Sequence, residues 1–287
     1  MQIGDTVVRL SYGKDITFKI AEIKEGESGK VYILNGINIR IVADSFESDL
    51  EIVPRNTLCV KEQIFNRQVN DSIKKILLGR NDISKLHRVS SLNLDKDLKF
   101  GRPGKVLHID GDASYLDICL KVYKQLAIDA VGKVIPENEQ PSQIVQLVKE
   151  YKPDIVVITG HDSITKGTTE FMNINSYRNS KYFINSVNEL RNYQPDYDAL
   201  VIFAGACQSY YEGILDAGAN YASSPGRVLI HCLDPVFICE KVAYANIEKV
   251  VSIQEILADT ITGTKGIGGL QTRGKYREGF PKSTFDK

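Results

Sequence analysis

The sequence has no tryptophan, two methionines, four histidines and no net charge, since 36 basic side chains are cancelled by 36 acidic ones. Without an excess of either sign the chain builds no field that would gather nucleic acid or an anionic bilayer, so neither is expected as a partner. No apolar run approaches the roughly 20 residues that a bilayer-spanning helix requires. The N-terminus also lacks the charged-then-apolar pattern of a secretory signal. A soluble protein made in the cytoplasm is therefore expected. The five cysteines, Cys59, Cys119, Cys207, Cys232 and Cys239, include no C-x-x-C pair. That argues against a disulfide framework or zinc ribbon, and leaves reduced thiols, no metal and no cofactor as the expectation. The Gly-rich stretch Thr262 to Gly269 lacks the G-x-x-x-x-G-K-[ST] spacing of a phosphate-binding loop.

What is present is enough material for a sizeable core: 287 residues, 43% of them hydrophobic. Residues 1–58 read as short strands, at Val7 to Leu10, Ile16 to Ile23, Lys30 to Leu34 and Ile37 to Val42, with a hairpin turn at Asn35-Gly36. This is the pattern of a small SH3-like β-barrel. Residues 59–104 read as a polar connector, helical over Ser72 to Leu78 and broken at Gly79-Arg80-Asn81-Asp82.

From Lys105 the pattern becomes an alternation of buried strands and amphipathic helices, the signature of βαβ units on a parallel sheet. Strands are expected at Val106 to Ile109, Lys133 to Ile135, Ile155 to Ile158 and Leu200 to Phe203. Helices are expected over 115–130, over 142–151 with Ser142 as N-cap, over 180–193 and over 210–217. The fold class is thus α/β, with the parallel-sheet domain spanning 105–287.

Ligands of open α/β sheets bind beyond the carboxyl ends of the strands. His161 follows one such strand and Cys207 the next, each near a glycine, Gly160 and Gly205. Neighbouring strands lie roughly 5 Å apart, so imidazole and thiol can meet across the rim. A thiol is mostly protonated at neutral pH, and an adjacent imidazole can activate it. Cys207 also precedes a helix, whose N-terminus favours negative charge. The backbone N–H of Cys207 and one from Gly160, His161 or Asp162 are the candidate oxyanion donors. His108, His87, Cys119 and Cys239 read as structural. The competing pair His231-Cys232 is disfavoured because neighbours on an extended strand point to opposite faces.

The two strand ends, Thr159-Gly160-His161-Asp162-Ser163 and Gly205-Ala206-Cys207-Gln208-Ser209, resemble the His and Ala-Cys strand ends of the caspase-like cysteine peptidases. Their separation of 46 residues is similar to the value of about 50 in caspases. Together with the opening Met1-Gln2-Ile3-Gly4-Asp5-Thr6-Val7-Val8, they resemble the YabG family of sporulation-specific proteases along essentially the whole chain. That resemblance implies an αβα catalytic domain of caspase-like type, a Cys207 nucleophile and a His161 base. It also implies processing of spore coat or cortex proteins by cleavage after arginine, in the mother cell and at the forming spore. The chain departs from the caspase-like pattern in two places. Gly160 precedes rather than follows the histidine and Asp162 follows it, which leaves the second oxyanion amide open among Gly160, His161 and Asp162, with Asp162 taken as the candidate. Gly205 stands where relatives carry a residue that shapes the specificity pocket, so the acid that reads a basic substrate must come from elsewhere. Asp110 and Asp112 are the first candidates, with Asp234 third.

Two other classes remain open on sequence. A glutaminase-type amidotransferase also places Cys after a strand, but its His lies downstream. A non-enzymatic coat-scaffold or receiver-like module predicts an unreactive, fully buried Cys207. An arginine-directed peptidase is further expected to cut itself in the connector, after Arg67, Arg80, Arg88 or Arg102, releasing a barrel that serves as a targeting or restraining unit.

Overall fold

A computed structural model describes residues 1–26, 29–54, 60–89 and 99–283. The N-terminal region is a five-stranded antiparallel sheet of order β4-β3-β2-β1-β5, built from β1 (Thr6–Arg9), β2 (Thr17–Gly26), β3 (Gly29–Gly36), β4 (Val42–Phe46) and β5 (Leu50–Ile52). The expected tight turn at Asn35-Gly36 is not made: both residues belong to β3, where Gly36 pairs with Phe18. The chain instead loops out over 37–41 before β4 begins, so Ile37 to Ile41 is not the strand expected there.

A single helix, α1 (Val60–Val89), follows. It runs through Gly79-Arg80-Asn81-Asp82, where the sequence suggested a break. Its buried Val69 and Ile76, with Ile73 between them, join the core on one face of the main sheet, at the i, i+3, i+4 spacing of one helix face. Arg80 fastens the helix by donating to Glu240 (2.6 Å) and to the Leu126 carbonyl (2.7 Å) while lying 3.3 Å over the Tyr244 ring. These tertiary contacts outweigh the ~1 kcal/mol that a mid-helix glycine costs. Cys59 lies outside the described residues.

β6 (Phe100–Arg102) leads into the main unit: β7 (Val106–Asp110), α2 (Ala113–Gln125), β8 (Ala130–Val134), α3 (Gln140–Tyr151), β9 (Ile155–Thr159), α4 (Ser180–Tyr193), β10 (Val201–Ala204), α5 (Tyr211–Asp216), β11 (Tyr221–Ser223) and α6 (Asp234–Tyr244). β12 (Val250–Val251), α7 (Ile253–Leu257), β13 (Ile267–Gly269), β14 (Thr272–Arg273) and β15 (Arg277–Gly279) close the chain. The six-stranded sheet has the order β13-β11-β10-β9-β7-β8 and is parallel except for its β13 edge. Alternate strand residues face opposite sides: Val106, Ile155, Val157, Val201 and Phe203 pack under α2 and α6, whereas Leu107, Ile109, Val156, Ile158 and Ile202 pack under α3 and α4. Three layers result, and continuous burial of β7, β9 and β10 follows from coverage on both faces. Helix α3 starts at Gln140, not Ser142, with Pro141 in its first turn, where a missing N–H costs nothing. Among the described residues no helix is long and apolar enough to cross a membrane.

Candidate active site

β9 lies between β7 and β10, so the segments after three adjacent parallel strands converge on one rim. Asp110 ends β7, Asp112 caps α2, His161 follows β9 and Cys207 follows β10.

The cap fixes Asp112. Its Oδ1 accepts from the Ser114 amide (2.8 Å) and, more weakly, from that of Tyr115, which leaves Oδ2 to meet His161 Nε2 at 3.0 Å. Burial alone would raise this carboxyl, but His161 and the Ser114 amide together hold it below its ordinary value. The imidazole is thus oriented by a carboxylate, and its ring packs edge-on to Tyr115 at 5.7 Å between centroids.

The turn carrying Cys207 is held by a buried polar relay. The Ala206 amide donates to Ser209 Oγ (2.9 Å), which donates to Asp162 Oδ2 (2.9 Å). Asp162 also accepts from Ser180 Oγ and from the Asn179 and Ser163 amides, which locks the His161 loop to the Cys207 loop. Burial still leaves the Asp162 carboxyl above its ordinary value. Gly205 sits at φ +110°, and a Cβ there would come within 2.4 Å of Ser223 Oγ. No side chain fits at this position, which explains why it cannot carry a pocket-shaping residue. The His161 amide is taken by Glu137 Oε1 (2.6 Å) and the Gln208 amide by Ser224 Oγ (3.0 Å).

Cys207 is 1% exposed. Its sulfur accepts from the Ile230 amide at 3.2 Å, and burial pushes its thiol up to about 12 despite that bond. A buried Cys207 is the property expected of a non-catalytic module, but what covers it is specific. The sulfur belongs to the apolar cluster of the N-terminal sheet, with Val7, Phe18, Ile39 and Ile230. The cover is the loop between β3 and β4.

Asp110 is fully buried and faces Arg40 of that loop, whose Nη1 stands 2.5 Å from Asp110 Oδ2 with neither side chain exposed. Burial opposes both charges, yet the pairing wins: Arg40 is held above and Asp110 well below its usual range. Asp110 also accepts from Thr159 Oγ1 and the Asp112 amide, both at 2.9 Å. Asp234 lies elsewhere. It opens α6 and accepts from the Ile261 amide (2.7 Å) and from the Thr262 amide and hydroxyl, a loop-holding role in which burial lifts its carboxyl to about 6. His231 is also structural: its Nδ1 accepts from the Leu233 amide at 3.2 Å, and burial, with Arg40 nearby, pushes it down to about 4. Sequence reading did not single out Tyr115, Ser209 or Glu137. Only Ser209 carried a signal, its place in the Cys207 turn.

The family profile described as YabG peptidase U57 matches residues 2–281. The chain belongs to the YabG peptidase family. It is accordingly a peptidase of a sporulation-protease family. The sporulation-specific protease YabG of Bacillus subtilis (strain 168) is 40% identical over 286 residues, which cover 98% of each chain. The match runs through both the N-terminal sheet and the α/β unit, so the YabG family is similar to this chain over both.

Proposed function

We propose that the protein is a cysteine endopeptidase cleaving after arginine, or arginine and lysine, with Cys207 as nucleophile and His161 as general base. The observation that supports this reading is the convergence, at three adjacent strand ends, of a carboxylate-oriented imidazole, a thiol and a buried carboxylate already paired to a guanidinium. His161 takes the thiol proton, the sulfur attacks the substrate carbonyl, and the amides of Cys207 and Asp162 receive the oxyanion. Asp112 is a positioning residue that holds the ring. Asp110 pairs with the basic side chain preceding the scissile bond. The α/β unit over 105–287 is read as caspase-like, and 1–58 as an SH3-like barrel. Family membership supports spore coat or cortex proteins as substrates, met in the mother cell at the forming spore.

The test is hydrolysis of peptide reporters ending in Arg, Lys, Gln or Asp by the wild type and by Cys207→Ala and His161→Ala. Activity on the Arg reporter that vanishes in Cys207→Ala and falls by about 10²- to 10⁴-fold in His161→Ala is expected. Full activity in folded Cys207→Ala protein overturns the assignment.

A further inference from the structure

The loop over 37–41 has the contacts of a bound peptide. Ile39 forms an antiparallel bridge with His231, and the Cys232 amide donates to the Asn38 carbonyl at 3.0 Å, so the loop adds a short strand to the segment lining Cys207. Extended peptides bind by this mode of main-chain pairing. The Tyr115 hydroxyl is shared between the carbonyls of Gly36 (2.5 Å) and Ile39 (2.7 Å), and a backbone N–H of Arg40 approaches the Cys207 sulfur. The guanidinium fills the buried pocket beside Asp110, 5.0 Å from the Tyr115 ring centre.

As structural reinforcement this pair is a poor choice. Its 2.5 Å contact is not aligned as a hydrogen bond, and Arg40 Nε has no hydrogen-bond partner among the described residues. A buried ion pair with unsatisfied donors is no better for stability than apolar packing of similar volume. Its geometry instead suits a site that must accept an arginine and release it.

Resting on the cysteine-peptidase reading above, we propose that this loop is the enzyme's own first substrate. Arg40 occupies the site for the residue preceding the cut, Arg40–Ile41 is the bond broken, and until then the loop excludes other peptides. His161 removes the Cys207 proton, and sulfur bonds to the Arg40 carbonyl carbon. The C–N bond to Ile41 then breaks, with the proton passing to the new Ile41 amine. Water adds to the thioester, His161 takes its proton, and the thiol leaves to free the Arg40 carboxylate. One water is consumed.

The Ile41 amide donates to the Ile39 carbonyl at 2.8 Å, so the bond to be cut sits in a tight turn centred on Arg40. The chain must straighten before attack, which makes the reaction slow and the intact protein self-blocked. The connector arginines offer less. Arg67, Arg80 and Arg88 lie within α1, and Arg102 lies in β6, paired with β15, whereas a protease needs an extended, accessible segment. Because β3 and β4 hydrogen-bond along their length, the cut nicks the N-terminal sheet and leaves both pieces in place.

The experiment follows freshly purified full-length protein over time, by denatured intact mass with N-terminal sequencing and by hydrolysis of a peptidyl-arginine reporter. Expected are a fragment beginning Ile41-Val42-Ala43, an unchanged native size, and a lag in reporter hydrolysis that ends as the fragment accumulates. Cys207→Ala should stay full length, while Arg40→Gln should remain whole at this bond and show no lag. Wild type that hydrolyses the reporter from the first moment with Arg40–Ile41 intact overturns the proposal, and this holds even if Arg40→Gln fails to fold. Reporter hydrolysis by Cys207→Ala would instead strike the underlying peptidase assignment.

Discussion

His161 Nε2 stands 3.0 Å from Oδ2 of Asp112, a carboxylate whose other oxygen caps α2. One side chain therefore ties the imidazole to the start of a helix, and the two tasks can be separated by substitution. Asparagine caps a helix about as well as aspartate but carries no charge to stabilise an imidazolium. Asp112→Asn should keep the fold and the KM for an arginine reporter while lowering kcat by about 10²- to 10⁴-fold, the range of general acid–base catalysis. A loss confined to KM, or a large drop in thermal stability, would make Asp112 a merely structural cap.

Asp110→Asn addresses selectivity. Removing one partner of a buried charge pair costs about 2–5 kcal/mol, which is about 30- to several thousand-fold in kcat/KM. The arginine reporter should lose that factor while a glutamine reporter loses little. Equal losses on both would move the basic-residue site away from Asp110.

The depressed Asp110 carboxyl sets a pH expectation for the closed loop. A group whose folded value lies below its unfolded one stabilises the fold above the unfolded value, about 3.9, and its contribution is lost as pH falls through the folded value. The Arg40–Asp110 pair therefore persists through mild acid. Between pH 5 and pH 7 Asp110 should make no change in the accessibility of Cys207 to a small alkylating reagent, followed in His161→Ala protein to remove base catalysis. On the alkaline side the sign reverses. The covered Cys207 thiol, raised to about 12, favours the closed form only below its open value near 8.5. Alkylation should therefore rise more steeply above that pH than for a free thiol. A flat alkaline response would show that the loop does not control the thiol.

Ser209→Ala removes the hydroxyl that passes a hydrogen bond from the Ala206 amide to Asp162. Leaving a buried donor and a carboxylate short of a partner costs about 1–3 kcal/mol, readable as a lowered denaturant midpoint with an unchanged m-value. A neutral substitution would mean that the relay does not brace the Cys207 turn.

The strand ends of the α/β unit were legible because coverage on both faces makes β9 and β10 largely apolar runs, and β7 one interrupted by His108, each stopped by glycine or aspartate. That β9 and β10 are neighbours was expected of consecutive strands, but β8 lies at the sheet edge beyond β7, so β9 is flanked by β7 and not by β8. Other features depend on partners remote in sequence. Nothing local in Ile37 to Ile41 announces a loop that pairs with His231, about 190 positions on, and the Asn35-Gly36 turn signal points the other way. Helix α1 continues through Gly79 because Arg80 reaches Glu240 and Tyr244. The different surroundings of Asp110 and Asp112, two residues apart, emerge only from the fold: Asp110 Oδ2 meets Arg40 and Thr159, whereas Asp112 caps α2 with Oδ1 and meets His161 with Oδ2.

The most direct test is covalent labelling with an irreversible thiol-directed peptidyl-arginine probe, followed by mapping of the modified residue. Label on Cys207, abolished in His161→Ala and strongly reduced in Asp110→Asn, is the result expected. Label on Cys232 or another cysteine, or activity that persists after complete modification of Cys207, would contradict it.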